Sequence, residues 1–159
     1  MTFLPAHFTV PRSFTHKDFT LEVLRPAVAE GDYAAFTNCR KRLRNMFGKN
    51  NTWPKDTLTL MESRADLALH EQEFDEGIAF VYTVLSPDKS ICLGTVYIDP
   101  SPIARYDCMV HIWVSDDYLY LDITVYQVVK AWIENDWPLT TLAFPGREIE
   151  RDRWEAMLA

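Results

Sequence analysis

The chain has 159 residues, of which 48% are hydrophobic and 25% are charged, and this balance predicts one ordinary globular domain with its own core. Its formal net charge of −7 argues against nucleic acid or an anionic membrane surface as the main partner. No apolar run reaches the length of a membrane span and no export signal is visible, so we expect a cytoplasmic protein. Its three cysteines stand at unrelated spacings, which predicts reduced thiols and no metal site.

The N-terminal part of the chain predicts an arm, a strand and a helix. Residues 1–18 contain two prolines and no clear periodicity, which predicts an irregular arm, and residues 19–159 then form a single domain. A strand-like segment begins at Phe19. Apolar residues recur at helical spacing over residues 32–47, and Gly48 supplies the stop.

A basic cluster lies within this first helix. Its members are Arg40, Lys41, Arg42 and Arg44. We expect the cluster to be the solvated face of the helix, and a patch that binds anions is the alternative.

A second helix is predicted after Pro54. Thr59 and Glu62 have the spacing of a capping box, which satisfies the first free amides of a helix, and Gly77 is a suitable end. The residues that follow predict strands and one more helix, over 78–85, 91–98, 108–114, about 118–135 and 141–144. The order β-α-α-β-β-β-α-β predicts a mixed sheet with helices on both faces.

This order resembles that of the GNAT superfamily of acyl-CoA-dependent N-acyltransferases. The resemblance covers roughly residues 19–150 and includes the features of a group of short GNAT-like proteins. The residues that carry it are Trp53, Pro54, Asp66, His70, Phe74, Phe80, Tyr82, Gly94, Tyr97, Ile98, Pro100, Trp113, Val114, Trp132, Trp137, Pro138, Pro145, Gly146 and Arg147.

The resemblance implies an α+β fold in three layers, with a GNAT-like, mostly antiparallel mixed sheet of about five strands and helices on both faces. Only twelve residues follow Arg147, too few for the last strands of a GNAT sheet, so the fold is expected to be C-terminally truncated. The strand over residues 141–144 would then be an edge. Because exposed edges tend to be covered, we expect a homodimer.

The resemblance also implies a site for acetyl-CoA between the fourth and fifth strands of the GNAT sheet. The backbone of Ile112, Trp113 and Val114 would contact the pantetheine arm, and Ser115 would begin the turn that holds the pyrophosphate. This turn departs from the family pattern, because it has no glycine or arginine and contains Asp116 and Asp117. Each carboxylate would repel the pyrophosphate by on the order of 1–3 kcal/mol.

Three residues are candidates for catalysis. His111 is the first candidate for the base, although strand alternation places it on the face opposite Ile112, where a packed structural histidine is the alternative. Tyr97 could reach a cleft from the neighbouring strand, and core packing is the alternative. Cys108 could act as a nucleophile only with a base that the sequence does not identify.

Two functions from different classes follow from these features. The first is an N-acetyltransferase that transfers an acyl group from acyl-CoA to a small-molecule or protein amine. The second is a GNAT-fold binding or assembly protein that has lost acetyl-CoA binding. Retention of the scaffold favours the first function, and the two aspartates in the turn favour the second.

Overall fold

The computed structural model describes residues 3–159, which form one sheet with helices on both faces. The strands are β1 (Ser13–Thr15), β2 (Thr20–Val23), β3 (Phe80–Leu85), β4 (Cys92–Pro100), β5 (Cys108–Val114) and β6 (Leu142–Ala143). The α-helices are α1 (Ala29–Thr37), α2 (Arg40–Leu43), α3 (Leu60–Asp75), α4 (Asp122–Asp136) and α5 (Arg151–Leu158). Short 3-10 turns at Pro26–Val28 and Asp116–Leu121 precede α1 and α4. Within residues 3–159, no helix has the length and apolarity needed to cross a membrane.

The sheet confirms the predicted fold class and corrects the number of strands. The six strands lie in the order β1 to β6, and all neighbours are antiparallel except β5 and β6, which are parallel. The strand beyond the predicted five is β1, which lies in the segment predicted to be an irregular arm. Its central Phe14 packs on Trp132 of α4 at 4.9 Å between ring centroids, and this contact holds the segment beside β2.

The first predicted helix is two helices. A continuous helix was expected over residues 32–47, but α1 ends at Thr37 and α2 begins at Arg40. The side chain of Asn38 at the break donates to Asp117, on the far side of the sheet edge. Contacts between distant parts of the chain therefore redirect the backbone here, and local periodicity does not encode them.

The second helix begins as predicted. The Thr59 hydroxyl accepts from the Glu62 amide, and the Glu62 carboxylate accepts from the Thr59 amide, so both halves of the capping box are present. The helix ends before Gly77, whose φ of +72° suits glycine. This helix covers the same sheet face as α1.

Alternation along β5 gives its two faces different neighbours. Ile112 and Val114 belong to the core beneath α4, whereas Trp113 belongs to the core beneath α1 and α3. His111 contacts Phe47 on the second face. The predicted opposition of His111 and Ile112 across the sheet is therefore present in the structure.

Strands β5 and β6 pair over only two residues and then part. Cys108 pairs with Leu142 and Met109 pairs with Ala143, after which the chain turns away toward Gly146. On its other side, β5 approaches β4 closely at Gly94, where a β-carbon would stand 2.0 Å from the carbonyl oxygen of Trp113. The sheet thus stays tightly paired on one edge of β5 and opens on the other.

Candidate functional site

The opening beside β5 is a cleft of about 260 Å³. We use "the cleft" for this space between β5 and the segment after β6. Its lining includes Arg42, His111, Ile112, Asp122 and Arg147.

Two backbone carbonyls of β5 face the cleft, and two arginines of the chain bind them. The Ile112 carbonyl accepts from Nη2 of Arg147 at 3.1 Å. The Val114 carbonyl accepts from Nη2 of Arg42. Because alternate residues of a strand direct their backbone groups to the same edge, both carbonyls point away from β4. This is the edge at which the sequence predicted contacts with a pantetheine arm.

The turn after β5 carries the two aspartates, and each has a partner. Asp116 accepts from Nε of Arg42 at 2.7 Å, and Asp117 accepts from Nδ2 of Asn38 at 3.0 Å. Arg42 supplies the positive charge that the turn itself lacks. It comes from α2, 74 positions earlier in the chain, so sequence spacing could not associate it with the turn.

The first residue of α4 also forms an ion pair at the cleft. Arg147 donates to both carboxylate oxygens of Asp122, each at 2.7 Å. This geometry is bidentate and holds the guanidinium firmly. Asp122 is also well placed at the helix N-terminus, where the macrodipole favours a negative charge. The same arginine therefore joins α4 to the edge of β5.

A second cavity of about 400 Å³ lies on the other side of β4 and β5, beneath α1 and α3. We call it the acidic cavity. Its walls are lined by Leu24, Asp32, Phe36, Phe47, Asn51, Trp53, Ser63, Asp66, Leu67, His70, Tyr97, Asp99 and Met109. Three of these residues are carboxylates and none is lysine or arginine.

Asp32 is the most deeply buried carboxylate of the acidic cavity, with 4% of its surface exposed. One of its oxygens, Oδ1, accepts from the Thr95 hydroxyl at 3.2 Å. Among the described residues, Oδ2 has no hydrogen-bond partner. Burial raises the pKa of Asp32 from 3.8 to about 7, against the smaller opposing effect of the Thr95 hydrogen bond.

Asp99 lies at the other end of the same face of β4. Burial, with a smaller contribution from Glu73, raises the pKa of Asp99 to about 6. Its register partner is Met109, which is the last residue of β5 to pair with β6. Asp99 therefore stands at the level where the two strands part.

Tyr97 lies on β4 between Asp99 and Thr95, the residue that donates to Asp32. Its hydroxyl accepts from the Trp113 indole at 3.0 Å, and burial raises its pKa well above the usual range. The hydroxyl is therefore protonated at neutral pH and held in place by β5.

The ring of Phe47 lies between the acidic cavity and His111. It packs edge-on against Tyr97 at 4.8 Å and against His111 at 5.1 Å. Beyond it, His111 and Arg151 line both the cleft and a neighbouring cavity of about 460 Å³. Burial, aided by the charge of Arg151, lowers the pKa of His111 to about 4, so this imidazole is neutral at pH 7.

The structure brings some of the predicted site residues together. Tyr97 and His111 lie on one face, in contact with the same phenylalanine. Cys108 lies on the opposite face, fully buried in the core, where burial raises its pKa to about 12. Burial and a raised pKa both disfavour the thiolate that a nucleophilic cysteine requires.

The four residues predicted to contact the cofactor, namely Ile112, Trp113, Val114 and Ser115, differ in which of their groups face the cleft. The carbonyls of Ile112 and Val114 face the cleft. The side chain of Trp113 packs in the core on the other face, and the amide of Ser115 donates to the Leu93 carbonyl of β4 at 2.7 Å. Ile112 and Trp113 line the cleft, and the carbonyls of Ile112 and Val114 lie along the same strand edge, where Arg147 and Arg42 bind them.

Sequence reasoning missed Asp32 and Asp99, two of the three carboxylates of the acidic cavity. Alternation places Asp99 on the face of Tyr97, two residues along the strand, and this signal could have found it. Asp32 offered no such signal, because its proximity to Thr95 depends on how α1 packs on the sheet.

Several solved structures share this fold. The ribosomal-protein-S5-alanine acetyltransferase from Vibrio fischeri aligns with a TM-score of 0.62 and 16% identity, over 92% of this chain and 81% of that chain. The microcin C7 self-immunity acetyltransferase MccE, in complex with acetyl-CoA and AMP, aligns with a TM-score of 0.58 and 16% identity, over 75% of this chain and 63% of that chain. Apo FdhC, a nucleotide-linked sugar GNAT, aligns with a TM-score of 0.55 and 12% identity, over 87% of this chain and 76% of that chain.

These likenesses establish the fold. At such identities they carry no activity over to the chain. No protein-family model and no curated protein matches the sequence. The chain has the GNAT fold, as the resemblance of its sequence predicted.

Proposed function

We propose that the protein is an N-acyltransferase that takes an acyl group from acyl-CoA and transfers it to an amine. The observation that supports this function is the parting of β5 and β6 directly beside the acidic cavity. A donor lying along β5 and an amine in the acidic cavity would meet near Met109 and Asp99. The amide groups of the acyl donor suit the backbone edge of β5, and the positive charge of the amine suits the carboxylates of the acidic cavity.

The edge of β5 fits the amide-bearing arm of acyl-CoA. Such an arm can pair with the backbone of Ile112 and Val114 in place of Arg147 and Arg42. The turn fits the pyrophosphate less well, because it has no glycine and carries Asp116 and Asp117. The pairing of Asp116 with Arg42 offsets part of this repulsion and brings a cation within reach of a phosphate.

Acyl-CoA would supply the acyl group on a thioester; as the carbon–nitrogen bond forms and the carbon–sulfur bond breaks, the second proton that the nitrogen loses would pass to the departing sulfur, which leaves as the thiol. The amine arrives as an ammonium and must lose a proton before its nitrogen can attack. We assign this proton transfer to Asp99, because it lies at the level where the strands part and its pKa is about 6. At pH 7 such a carboxylate is ionised and still basic enough to accept a proton.

A second candidate function is a binding protein that does not transfer acyl groups. The observation that favours it is that Arg147 and Arg42 already occupy the two carbonyls of the cleft. If acyl-CoA cannot displace these arginines, the cleft stays closed by the chain itself.

Titration calorimetry with acetyl-CoA distinguishes the two functions. We expect the wild-type protein to bind acetyl-CoA with a dissociation constant below about 1 mM. The double variant Asp116→Asn/Asp117→Asn should bind about tenfold more tightly, because it removes two charges that repel the pyrophosphate.

Asp136→Asn is the matched control, since Asp136 is an exposed aspartate at the far end of α4. This variant should leave the affinity unchanged. Absence of heat with both the wild-type protein and the double variant would reject the acyltransferase and leave the binding protein.

A further inference from the structure

We propose that the acidic cavity binds a linear organic compound with two ammonium groups, one at Asp99 and one at Asp32. This diamine is the acceptor if the proposed acyltransferase function holds, and a bound ligand in its own right if it does not. Three observations support the site: an oxygen of the buried Asp32 carboxylate that no described residue binds, the spacing of two carboxylates, and the aromatic walls of the cavity.

The unpartnered oxygen is Oδ2 of Asp32. Asp32 is 96% buried, and no described residue donates to this oxygen. Oδ2 is not among the completely buried side-chain atoms that lack a partner, so it keeps some accessible surface. Since Asp32 lines the cavity, a donor that enters the cavity can supply the missing bond. An ammonium supplies both the hydrogen bond and the opposite charge.

The spacing of the carboxylates selects the length of the ligand. Asp32 is bound to Thr95, and Asp99 lies four residues further along the same face of β4. Four residues of an extended strand span roughly 13 Å, which is the expected separation of the Thr95 and Asp99 backbones. Two ammonium groups that each contact one carboxylate must therefore stand well apart, which favours a chain of several methylenes over a compact amine.

The walls between the two carboxylates suit that chain. Phe36, Phe47, Trp53 and Tyr97 line the cavity, and their faces can contact methylene groups and stabilise ammonium groups by cation–π attraction. No lysine or arginine lines the space, and burial lowers the pKa of His70, the one histidine of the lining, which favours its neutral form. The volume of about 400 Å³ lies within the usual range for small-molecule sites.

Burial is the main factor that opposes ionisation of both carboxylates in the absence of a ligand. Asp66 and His70 of α3 line the same cavity. Cys92 and Tyr97 face Asp32, and Glu73 faces Asp99 from α3. The pKa values of Asp32 and Asp99 are therefore raised above that of a free aspartate. A bound ammonium favours the charged carboxylate, so binding near neutral pH should release protons from Asp32.

The test is titration calorimetry in the absence of acyl-CoA, with three probes of equal chain length: hexamethylenediamine, hexylamine and hexanediol. We expect the diamine to bind roughly tenfold more tightly than the monoamine, and the diol to bind least. For the diamine at pH 7, the measured heat should depend on the ionisation enthalpy of the buffer, because protons are released.

Two variants assign the ends of the ligand. Asp99→Asn and Asp32→Asn should each reduce the affinity for the diamine to that of hexylamine, whereas Asp136→Asn should not change it. Melting temperatures identify a variant that has failed to fold. Equal affinity of the diamine and hexylamine for the wild-type protein would overturn the inference, as would full diamine affinity in folded Asp32→Asn.

The outcome is independent of the acetyl-CoA titration. Diamine binding without acetyl-CoA binding rejects the acyltransferase and retains the site. Acetyl-CoA binding with no preference for the diamine retains the acyltransferase and rejects this acceptor in favour of another amine, such as one carried by a protein.

Discussion

At the scale of single residues, Asp32 should make the stability of the protein depend on pH. Its pKa is 3.8 in a model peptide and about 7 in the fold, so the folded chain holds a proton that the unfolded chain has lost. The contribution of Asp32 is neutral below about pH 4 and becomes progressively unfavourable up to about pH 7. We expect Asp32→Asn to raise the free energy of unfolding at about pH 8 by on the order of 1–4 kcal/mol.

Urea unfolding of the wild-type protein and of Asp32→Asn at about pH 4 and pH 8 measures this effect. The two proteins should differ little at the lower pH and most at the higher pH. Asp136→Asn should change neither value, since its carboxylate is exposed. A constant difference between the proteins across this range would contradict the prediction.

The second residue-scale prediction concerns the base. If Asp99 accepts the proton, kcat/KM should rise as pH increases through about 6 and then level off, because the carboxylate must be ionised in the free enzyme. Asp99→Asn should lose this rise together with about 100-fold or more of the rate. The pH profile of acetyl transfer to an amine measures both.

His111 provides the internal comparison for this profile. Its pKa is about 4, so a rise centred near that value would assign the base to His111 and exclude Asp99. His111→Asn should leave the midpoint near 6 if Asp99 is the base. The midpoint of the kcat/KM–pH profile therefore identifies the base. Substitution of a residue with a purely structural role would not move this midpoint.

Asp99 and Asp32 also show which residue environments can be predicted from the sequence and which cannot. The face of Asp99 follows from strand alternation once β4 is recognised. The burial of Asp32 does not, since an aspartate in the first turns of a helix is ordinarily exposed and favoured there by the macrodipole. Its environment depends on which surface of α1 meets the sheet.

At the scale of elements, the capping box of α3 should be worth a measurable part of the stability. Thr59→Ala removes the hydroxyl that accepts from the Glu62 amide. We expect the free energy of unfolding to fall by about 0.5–2 kcal/mol. Thr57→Ala is the control, because Thr57 is exposed and precedes the cap.

Thermal unfolding of both variants measures this contribution. For a domain of this length, a loss of about 1 kcal/mol lowers the melting temperature by roughly 2–4 °C. Because Asp66 and His70 of α3 line the acidic cavity, Thr59→Ala should also weaken ligand binding if the helix frays. Equal melting temperatures for the two variants would contradict the role of the cap.

The contrast between α3 and the first predicted helix shows why some elements are predictable. The start of α3 depends on two residues three positions apart, so the sequence contains all of its determinants. The division between α1 and α2 depends on Asn38 and Arg42, whose partners lie in the turn after β5. The sequence predicted a solvated basic cluster at Arg40–Arg44 because partners such as Asp116, which binds Arg42, lie far away in the chain.

At the scale of the whole molecule, the order of strands and helices was predictable because each segment carries its own periodicity and turn residues. The parting of β5 and β6 also followed from the resemblance to the GNAT superfamily. The charge balance of the cleft did not, since Arg42 and Arg147 reach it from opposite ends of the chain. The elements were therefore easier to predict than the contacts that close the site.

The oligomeric state is the last property that the sheet allows us to predict. Among residues 3–159, no strand pairs with the outer edge of β6. Asp107 holds this edge strand in place by accepting from the amides of Thr140 and Thr141 at 2.8 and 3.1 Å. A strand at the edge of a sheet is a surface that proteins tend to cover, so we expect a homodimer that joins two copies of β6.

Light scattering at tens of micromolar protein should then give twice the mass of one chain. Leu142→Lys should shift the mass toward that of one chain, because a lysine on an edge strand opposes pairing. Leu158→Lys places the same charge on the exposed side of α5 and should leave the dimer intact. Because β6 has only two residues, a stable dimer interface must also include side chains beside the strand. A wild-type mass equal to one chain would reject the dimer.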